Sequence, residues 1–309
     1  MTLRATFLGT GGAVPTTERN PPAIAVNREG DQLLFDCAEG TQRQMMRYGT
    51  GFGVSHLFVT HTHGDHIYGI PGLLDTLDFN DREDALTIHV PPGKKGELRA
   101  FIDAAGARPT FPLRINEVRD GVVALARDEY EVRAFEVEHR TSAVGYALVE
   151  DDRKGRFDRA KAEELGVPVG PKFSQLHEGE PVELEDGTVI DPEQVVGEPR
   201  PGRKIVYSGD TRPIERTVDV AEDADLLIHD ATFADDRTDR AEKTAHATAR
   251  EAAGIASRAN VHRLALLHVS SRYTGNVGAH LREAREAFDG DVFAPDDGQT
   301  VEVPYPDGE

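Results

Sequence analysis

His61-Thr62-His63-Gly64-Asp65-His66 is the stretch that decides the fold, because it places four potential metal ligands within six residues directly after an apolar run. That run is rich in residues that favour strands, so the ligands should emerge from a strand end. In an extended segment residues two apart point the same way, so His61 and His63 can hold one ion while Asp65 and His66 turn toward a second. The spacing therefore predicts a site for two metal ions rather than one.

The rest of the chain alternates strand-length apolar runs with helix-periodic segments. Leu264 to His268 is a typical strand run, whereas 41–48 and 247–259 carry apolar residues at helical spacing. This alternation predicts an α/β fold, and a length of 309 residues is compatible with one large domain or two small ones. The segment 151–203 departs from it because it is dense in charged residues, Gly and Pro, and we expect it to form a protruding arm.

The composition restricts both the class of protein and the kind of metal site. Cys37 is the only cysteine, which excludes an intramolecular disulfide and a cysteine-built zinc site, so any metal must be held by His and carboxylate. No apolar run approaches the length of a membrane span or a signal peptide. We therefore expect a cytoplasmic protein with no membrane partner.

The formal net charge of -20 would ordinarily argue against a nucleic-acid ligand, since proteins that bind phosphates usually show a basic surface. Only seven of the 35 basic residues are Lys, a balance that resembles cytosolic proteins of salt-accumulating archaea. At about 1 M salt the Debye length falls to about 3 Å, so a negative surface no longer excludes RNA. The acidity thus indicates a halophilic setting and does not rule out an RNA substrate.

Three further potential ligands stand downstream, at positions where apolar runs should end. They are His139, Asp210 and His268. Because α/β proteins place functional groups at strand ends, we expect these side chains to meet the hexapeptide and complete two coordination shells.

The order of these motifs, with Ser208-Gly209-Asp210-Thr211 as the fourth, resembles that of the metallo-β-lactamase superfamily. Within it the chain is similar, nearly end to end, to the short-form tRNase Z family. The segments that carry this similarity are Phe7-Leu8-Gly9-Thr10-Gly11, His139-Arg140-Thr141, Ser208-Gly209-Asp210-Thr211-Arg212, His229-Asp230-Ala231-Thr232-Phe233, Ala245-His246-Ala247-Thr248 and His268-Val269-Ser270-Ser271-Arg272-Tyr273. The resemblance implies an αββα sandwich in a single domain over 1–309, with 151–203 inserted as a tRNA-binding arm. It also implies a zinc-dependent endoribonuclease that removes the 3′ trailer from precursor tRNA and leaves a 3′-hydroxyl.

The resemblance also implies two zinc ions per subunit, held by histidine nitrogens and carboxylate oxygens. The ligands of one ion would be His61, His63 and His139, those of the other would be Asp65, His66 and His268, and Asp210 would bridge them. Such a donor set suits Zn²⁺, and two ions about 3.5 to 4 Å apart can flank a scissile phosphate. Asp65 is the expected proton acceptor.

The proton for the leaving 3′ oxygen is assigned by the same resemblance to His246, oriented by Asp230. The family usually has Glu where Asp230 stands, and this side chain is one methylene shorter. The sequence leaves open whether Asp230 contacts His246 directly or through a water molecule.

Other residues are candidates for contact with the substrate, because each lies in a loop or basic run that resembles a family feature. They are Arg19 in the loop 15–20, Arg272 and Tyr273 just past the terminal histidine, Gly170 and Pro171 in the arm, and Arg153, Lys154 and Arg156 in the basic run 153–161. The loop departs from the family pattern, since Thr17 stands where the family typically has Lys. We expect the basic run to touch the tRNA elbow.

The family commonly forms homodimers, which predicts a shared surface. The helical segment 41–48 offers Met45, Met46 and Tyr48 as apolar groups for it, although core packing explains them equally well.

Two other functions are compatible with parts of this pattern. A dizinc hydrolase of small phosphodiesters, lactones or thioesters would keep the metal site but would need neither the arm nor the His246 motif. A diiron electron-transfer module would have Glu where His63 stands. Nucleases with a second domain after the fourth motif are excluded, because the interval from Asp210 to His268 leaves no room for one.

Overall fold

The structure is a computed structural model that describes residues 2–273, 275–306 and 308. The chain divides into two units. The larger comprises Met1–Val149 and Lys204–Pro304, and the smaller comprises Glu150–Arg203 and Tyr305–Glu309. Within the described residues, no helix is both long and apolar enough to cross a membrane.

The strands and helices alternate along the described chain as the apolar pattern predicts. The strands are β1 (Leu3–Gly9), β2 (Gly11–Gly12), β3 (Ala23–Arg28), β4 (Asp31–Phe35), β5 (Val54–Phe58), β6 (Leu86–Val90), β7 (Leu113–Glu117), β8 (Val123–Ala126), β9 (Tyr130–Glu136), β10 (Val144–Glu150), β11 (Val182–Glu183), β12 (Val189–Ile190), β13 (Lys204–Tyr207), β14 (Leu226–Asp230), β15 (Arg263–Leu267), β16 (Val269–Ser270), β17 (Asp291–Phe293) and β18 (Thr300–Glu302). The helices are α1 (Thr41–Tyr48), α2 (Gly64–Ile67), α3 (Ile70–Phe79), α4 (Lys95–Ala104), α5 (Arg159–Glu164), α6 (Pro171–His177), α7 (Glu215–Ala221), α8 (Thr238–Thr244), α9 (Ala249–Arg258) and α10 (Gly278–Arg285).

Two seven-stranded sheets form the centre of the larger unit. The strand order is β18-β1-β3-β4-β5-β6-β7 in the first sheet and β17-β15-β14-β13-β10-β9-β8 in the second. Strands β4 to β7 run parallel, as do β13, β14, β15 and β17. Each sheet therefore gathers several carboxyl ends of parallel strands at one edge, where α/β proteins usually place their functional groups.

The space between the sheets is filled by alternate residues of their strands. In β4, Leu33 and Phe35 face this core while Leu34 faces the opposite side, as strand periodicity requires. The Phe35 ring stacks on Phe58 at 4.9 Å and meets the ring of Tyr207 edge-on at 6.3 Å. Each large apolar side chain buried in this way stabilises the fold by about 1.5–3 kcal/mol.

Helices cover the outer face of each sheet. Buried residues of α1, α3 and α4 pack on the first sheet, and those of α7, α9 and α10 pack on the second. The layers are thus helix, sheet, sheet and helix, so the predicted αββα sandwich of the metallo-β-lactamase type is confirmed.

Local capping shifts one helix from its expected start. The segment 247–259 was expected to be helical, but α9 begins at Ala249. The Thr248 hydroxyl accepts from the Glu251 amide at 3.2 Å, and the Glu251 carboxylate accepts from the Thr248 amide at 2.8 Å. This capping box fixes Thr248 outside the helix.

Helix α1 separates the apolar residues that were considered for a shared surface. Met45 is fully buried among residues of the first sheet and α3, whereas Met46 is 68% exposed and Tyr48 is half-buried. The interpretation of Met45 as a surface residue is therefore wrong, and Met46 is the residue of this helix that can meet a partner.

The smaller unit has a hydrophobic cluster of its own. Its buried members are Ala162, Val167, Leu176, Val182, Ile190 and Val195. The strands β11 and β12 pair with each other, and α6 begins at Pro171 after Gly170, whose φ of 143° suits glycine. Gly170 and Pro171 thus form a rigid helix start, since proline is favoured in the first turn.

A cluster of arginines and one tyrosine lies at the chain ends of the smaller unit. Arg203 is buried and forms two hydrogen bonds of 2.7 Å with the Glu150 carboxylate. The Tyr305 ring lies 3.5 Å from the Arg153 guanidinium carbon and 4.1 Å from that of Arg203. Arg153, which the sequence offered as a substrate contact, is thus half-buried against an aromatic ring and stabilises the unit through cation–π contact.

Candidate metal and catalytic centre

The first group of predicted ligands converges at the end of β5. The Nε2 atom of His61 lies 2.9 Å from Nδ1 of His63, which lies 3.3 Å from Nε2 of His139. Burial lowers the pKa of all three imidazoles, that of His61 most strongly. They are therefore neutral at physiological pH, which is the form that binds a metal.

The second group lies beside the first. Oδ2 of Asp65 is 3.3 Å from Nε2 of His268 and 3.7 Å from Nε2 of His66. Although burial alone would raise it, the neighbouring His66 and His268 hold the pKa of Asp65 at about 2. Asp65 is therefore ionised at neutral pH, as an anionic ligand must be.

Asp210 lies between the two groups and contacts both. Its Oδ2 is 3.2 Å from Nε2 of His268 and 3.7 Å from Nε2 of His61, and its Oδ1 is 3.4 Å from Nε2 of His66. The side chain is buried, yet the nearby His268 and His66 hold its pKa well below the usual range. The structure thus brings together all seven residues that the sequence offered as metal ligands.

The residues fit two cations. The buried Nε2 of His66 and Oδ1 of Asp210 face each other at 3.4 Å, and within the described residues neither forms a hydrogen bond of good geometry. A cation bound between these atoms would satisfy both, and buried polar atoms that are left unsatisfied cost about 1–3 kcal/mol each. Nitrogen and oxygen donors grouped in sets of three or four, with no sulfur, suit Zn²⁺ or a similar divalent ion.

Asp36, which directly follows β4, orients one of these ligands. Its carboxylate accepts from Nδ1 of His66, from the amide of Thr60 and from the hydroxyl of Tyr207, each at 2.8 Å. These bonds direct Nε2 of His66 toward the centre, as carboxylate–histidine pairs do in metal sites. Asp36 is not among the residues that the motifs predicted, because a single acid at the end of a strand-like run has no neighbouring ligand at a fixed spacing.

A glycine turn supports the second group. The amide of Ala13 donates to Oδ2 of Asp65 at 2.9 Å. A Cβ added at Gly12 would lie 2.5 Å from Nδ1 of His268, so only glycine fits there without displacing that ligand. The short strand β2, which contains Gly12, pairs in parallel with β16, which follows His268.

The His246 and Asp230 side chains are in direct contact. Nδ1 of His246 lies 2.8 Å from Oδ2 of Asp230, so the alternative of an intervening water is wrong. Asp230 reaches this position because it accepts from the amide of Thr211 at 3.1 Å and from the hydroxyl of Thr232 at 2.7 Å. Burial alone would lower the pKa of His246, but Asp230 and Asp210 raise it to about 9.

His246 adjoins one ligand from each metal group. Its ring is stacked on that of His268 at 5.0 Å and lies 5.2 Å from that of His139. The preceding carbonyl, that of Ala245, accepts from Nδ1 of His139 at 2.9 Å. One short segment between α8 and α9 thus orients a metal ligand and carries the predicted proton donor.

Arg212 holds that segment in place. Its guanidinium donates to the carbonyl of His246 and to both carboxylate oxygens of Glu251, at 3.0 and 2.5 Å. Glu251 also caps α9, so the helix start and the His246 backbone share one anchor. The role of Arg212 is not predictable from its motif, because its partners lie 34 and 39 residues away in the sequence.

Arg19 is not a substrate contact. Its guanidinium is buried and donates to the hydroxyl of Thr10 at 2.5 Å, to the carbonyl of Pro295 at 2.6 Å and to the carboxylate of Asp296 at 2.9 Å. The prediction for Arg19 was wrong because two of these partners are remote in sequence. Its hydrogen bonds to Pro295 and Asp296 hold the loop 15–20 against the segment before β18.

The remaining candidates differ in exposure. Arg272 is exposed, whereas Tyr273 is half-buried and donates to Asp236 at 2.6 Å. Lys154 and Arg156 are exposed in the smaller unit. Among these, Arg272 has the position nearest in sequence to a metal ligand, His268.

Comparison with known proteins identifies relatives over the whole chain. Residues 3–108 match the family model described as anti-Pycsar protein Apyc1, and residues 181–269 match the beta-lactamase superfamily domain. Ribonuclease Z of Haloferax volcanii is 66% identical over 309 residues, which are 100% of this chain and 98% of that protein. Ribonuclease Z of Myxococcus xanthus is 50% identical over 305 residues, which are 99% of each chain. The crystal structure of human tRNase Z, short form, superimposes with a TM-score of 0.70 at 25% identity, over 97% of this chain and 99% of that one.

The ligand assignment predicts that metal binding and folding are separable. His63 lies at a loop end outside the hydrophobic clusters, so His63→Ala should break one ligand group and leave the core packed. We expect elemental analysis after dialysis to show a loss of about half of the bound metal, because one of two ligand groups is broken. Thermal unfolding should stay cooperative.

His262→Ala is the matched control, because the His262 side chain is 50% exposed and pairs with Asp225 outside the centre. An unchanged metal content in His63→Ala, or an equal loss in His262→Ala, would contradict the assignment.

Proposed function

The chain belongs to the ribonuclease Z family of endoribonucleases, and on this premise we propose that it binds two zinc ions and hydrolyses precursor tRNA at the 3′ trailer, leaving a 3′-hydroxyl on the tRNA. The observation that carries the proposal is the contact of Asp210 with both ligand groups, beside the His246–Asp230 pair. A phosphodiester hydrolase needs both parts, since charge must be neutralised at the phosphate and a proton must reach the leaving oxygen.

The ligand groups would hold one zinc ion each. His61, His63 and His139 would bind one, Asp65, His66 and His268 the other, and Asp210 would bridge them. When bound, two zinc ions lower the pKa of water to about 7 and stabilise charge on the attacking and leaving oxygens. The residues around them act by orientation: Asp36 sets the ring of His66, and Ala245 sets that of His139.

Asp65 is the proposed proton acceptor. Its carboxylate is ionised at neutral pH and is held at Oδ2 by the amide of Ala13. A fixed, ionised carboxylate beside the scissile phosphate can accept a proton from the attacking water without reorganisation of the protein.

His246 is the proposed proton donor to the leaving 3′ oxygen. A pKa of about 9 keeps the imidazole protonated at neutral pH, and Asp230 occupies Nδ1, which leaves Nε2 as the donor. Arg212 is a positioning residue, because it acts on the His246 backbone and touches no reacting atom.

A hydrolase of small phosphodiesters, lactones or thioesters is the alternative on this fold. Its substrates are small and would not use the smaller unit, which contributes 54 residues from Glu150 to Arg203. The presence of this unit therefore favours the RNA substrate.

The smaller unit is the proposed tRNA-binding arm, and its cations are the proposed contact with the tRNA elbow. Three of the seven lysines lie there. Lys161 pairs with Glu164 and Lys172 donates to a backbone carbonyl, whereas Lys154 is exposed and has no ion pair among the described residues. Lys154 and Arg156 are the preferred contacts because both side chains are exposed, whereas Arg153 is half-buried against the Tyr305 ring.

The setting we propose is a salt-rich cytoplasm. At about 1 M salt the Debye length is about 3 Å, so the acidic surface of the enzyme no longer repels RNA over longer distances. Phosphate contacts weaken under the same conditions, so binding must also use the shape of the tRNA. Relatives from halophilic genera, including Haloferax and Halobacterium, support this part of the proposal.

A homodimer is also proposed, through the exposed faces of α1 and α3. Met46 and Phe79 are 68% and 87% exposed, and both helices pack on the same face of the first sheet. Burial of each of these large apolar side chains against a second copy would stabilise a dimer by about 1.5–3 kcal/mol.

The catalytic proposal is tested by incubation with a trailer-bearing precursor tRNA. We expect cleavage to stop on addition of a chelator and to return with zinc. His246→Ala should lower the single-turnover rate by about 10²- to 10⁴-fold, the usual contribution of general acid catalysis, while precursor binding stays near normal. His262→Ala is the control, since that histidine is half exposed and pairs with Asp225 away from the centre. Near-normal cleavage by His246→Ala would exclude it as the proton donor.

The arm proposal is tested by charge reversal at Lys154 and Arg156. The double variant Lys154→Glu, Arg156→Glu should raise the KM for precursor tRNA by about 10-fold, because two surface charge contacts become repulsive. Hydrolysis of bis(p-nitrophenyl) phosphate should be unchanged. Arg108→Glu, an exposed residue of the larger unit, serves as the control. A parallel fall in both activities would mean that the basic run 153–161 stabilises the fold. No change in either activity would mean that the tRNA elbow binds elsewhere on the protein.

The dimer proposal is tested by light scattering at low and high salt. Wild-type protein should have twice the mass of one chain, and Met46→Glu with Phe79→Glu should shift it to one chain, because a charge buried in an apolar contact is strongly unfavourable. Val123→Glu is the control, because it replaces an exposed apolar residue of strand β8, away from α1 and α3, and should not dissociate the dimer. A wild-type monomer at every salt concentration would remove the proposal.

A further inference from the structure

Tyr68 is an exposed aromatic residue in contact with the metal-binding motif. It ends α2 and its side chain is 58% exposed. A Cβ added at Gly64 would collide with the ring carbons and the hydroxyl of Tyr68. The ring thus lies directly against the backbone between His63 and Asp65, which belong to different ligand groups.

Each of the two ligand groups has one member next to His246 and another member next to Gly64. Each group offers one ligand that adjoins His246, namely His139 or His268. Each group offers another, His63 or Asp65, that adjoins Gly64 under the Tyr68 ring. The centre therefore lies between the proposed proton donor and an exposed aromatic face.

The direction of cleavage assigns the two sides. On the proposed function, the oxygen that His246 protonates belongs to the tRNA, so the tRNA end lies on the His246 side of the scissile phosphate. The phosphate stays with the trailer, whose first nucleotide continues away from His246. We propose, as an extension of that function, that Tyr68 binds the first trailer nucleotide by stacking on its base.

The surroundings of Tyr68 fit a stacking surface. Among the described residues its hydroxyl forms no hydrogen bond, so the ring is held by packing alone. Phe101 of α4 lies 5.9 Å away at 39° and supports one side of it. Every base has a face that can stack, so this contact tolerates any trailer sequence. Stacking also keeps its strength at the salt concentrations that weaken phosphate contacts, which suits a chain of net charge -20.

The experiment places 2-aminopurine at the first trailer position of a precursor tRNA. The zinc-loaded His246→Ala variant binds it with slowed cleavage, and fluorescence and affinity are then compared for Tyr68, Tyr68→Phe and Tyr68→Leu in that background. We expect quenching on binding with Tyr and Phe, and none with Leu. The Kd for the precursor should rise about 5- to 150-fold in Tyr68→Leu, the usual effect of losing one base–aromatic stack. The Kd for mature tRNA should not change.

A label at the fifth trailer nucleotide is the control and should respond equally in all three proteins. The inference is overturned if the first-position label is not quenched with Tyr68 present, or if Tyr68→Leu quenches it equally. The inference is also overturned if Tyr68→Leu weakens the binding of mature tRNA as much as that of the precursor, or lowers the zinc content or the melting temperature. Such a result would mean that the ring only supports the backbone at Gly64. Absence of precursor cleavage by the wild-type enzyme would instead reject the proposed function.

Discussion

The carboxylate of Asp36 is the constraint on which the rest of the centre depends. It is fully buried, and hydrogen bonds to Thr60, His66 and Tyr207 satisfy it. Tyr207 belongs to the second sheet and the other two follow a strand of the first, so one side chain connects both sheets to a metal ligand. A buried acid that lost one of these donors would destabilise the interior, because low dielectric strengthens both satisfied and unsatisfied polar interactions. Sandwich packing and ligand geometry are therefore set together.

The architecture was largely predictable because its signals are local. Apolar runs located the strands, and the hexapeptide located a strand end before its partner strands were known. Boundaries were less predictable, as α9 shows, since the capping box at Thr248 competes with helical periodicity over the same residues. The rotation of α1 about its axis buries Met45 and exposes Met46. Helical periodicity alone does not predict which of two adjacent apolar residues faces the core.

The centre was predictable to the extent that its residues belong to motifs. All seven ligand candidates come together. Asp230 contacts His246 directly, although its side chain is shorter than Glu, because Thr211 and Thr232 hold its carboxylate toward His246 with hydrogen bonds. The prediction that Arg19 contacts the substrate was wrong for a different reason. A loop arginine has the same sequence appearance whether it faces solvent or a carbonyl 276 residues away. Asp36 was missed because one acid at a strand end carries no spacing that distinguishes it from a solvated residue.

The Tyr305 ring between Arg153 and Arg203 has a consequence for the order of folding during synthesis. Tyr305 follows Arg203 by 102 residues, so at about 5–20 residues per second the ribosome delivers it roughly 5–20 s later. The hydrophobic cluster of the smaller unit is complete long before this, while its two arginines still lack their aromatic partner. Tyr305 therefore completes a unit whose other parts are made earlier in synthesis. A chain that lacks this ring would keep every ligand of the centre, but Arg153 and Arg203 of the smaller unit would have lost the aromatic side chain on which they pack.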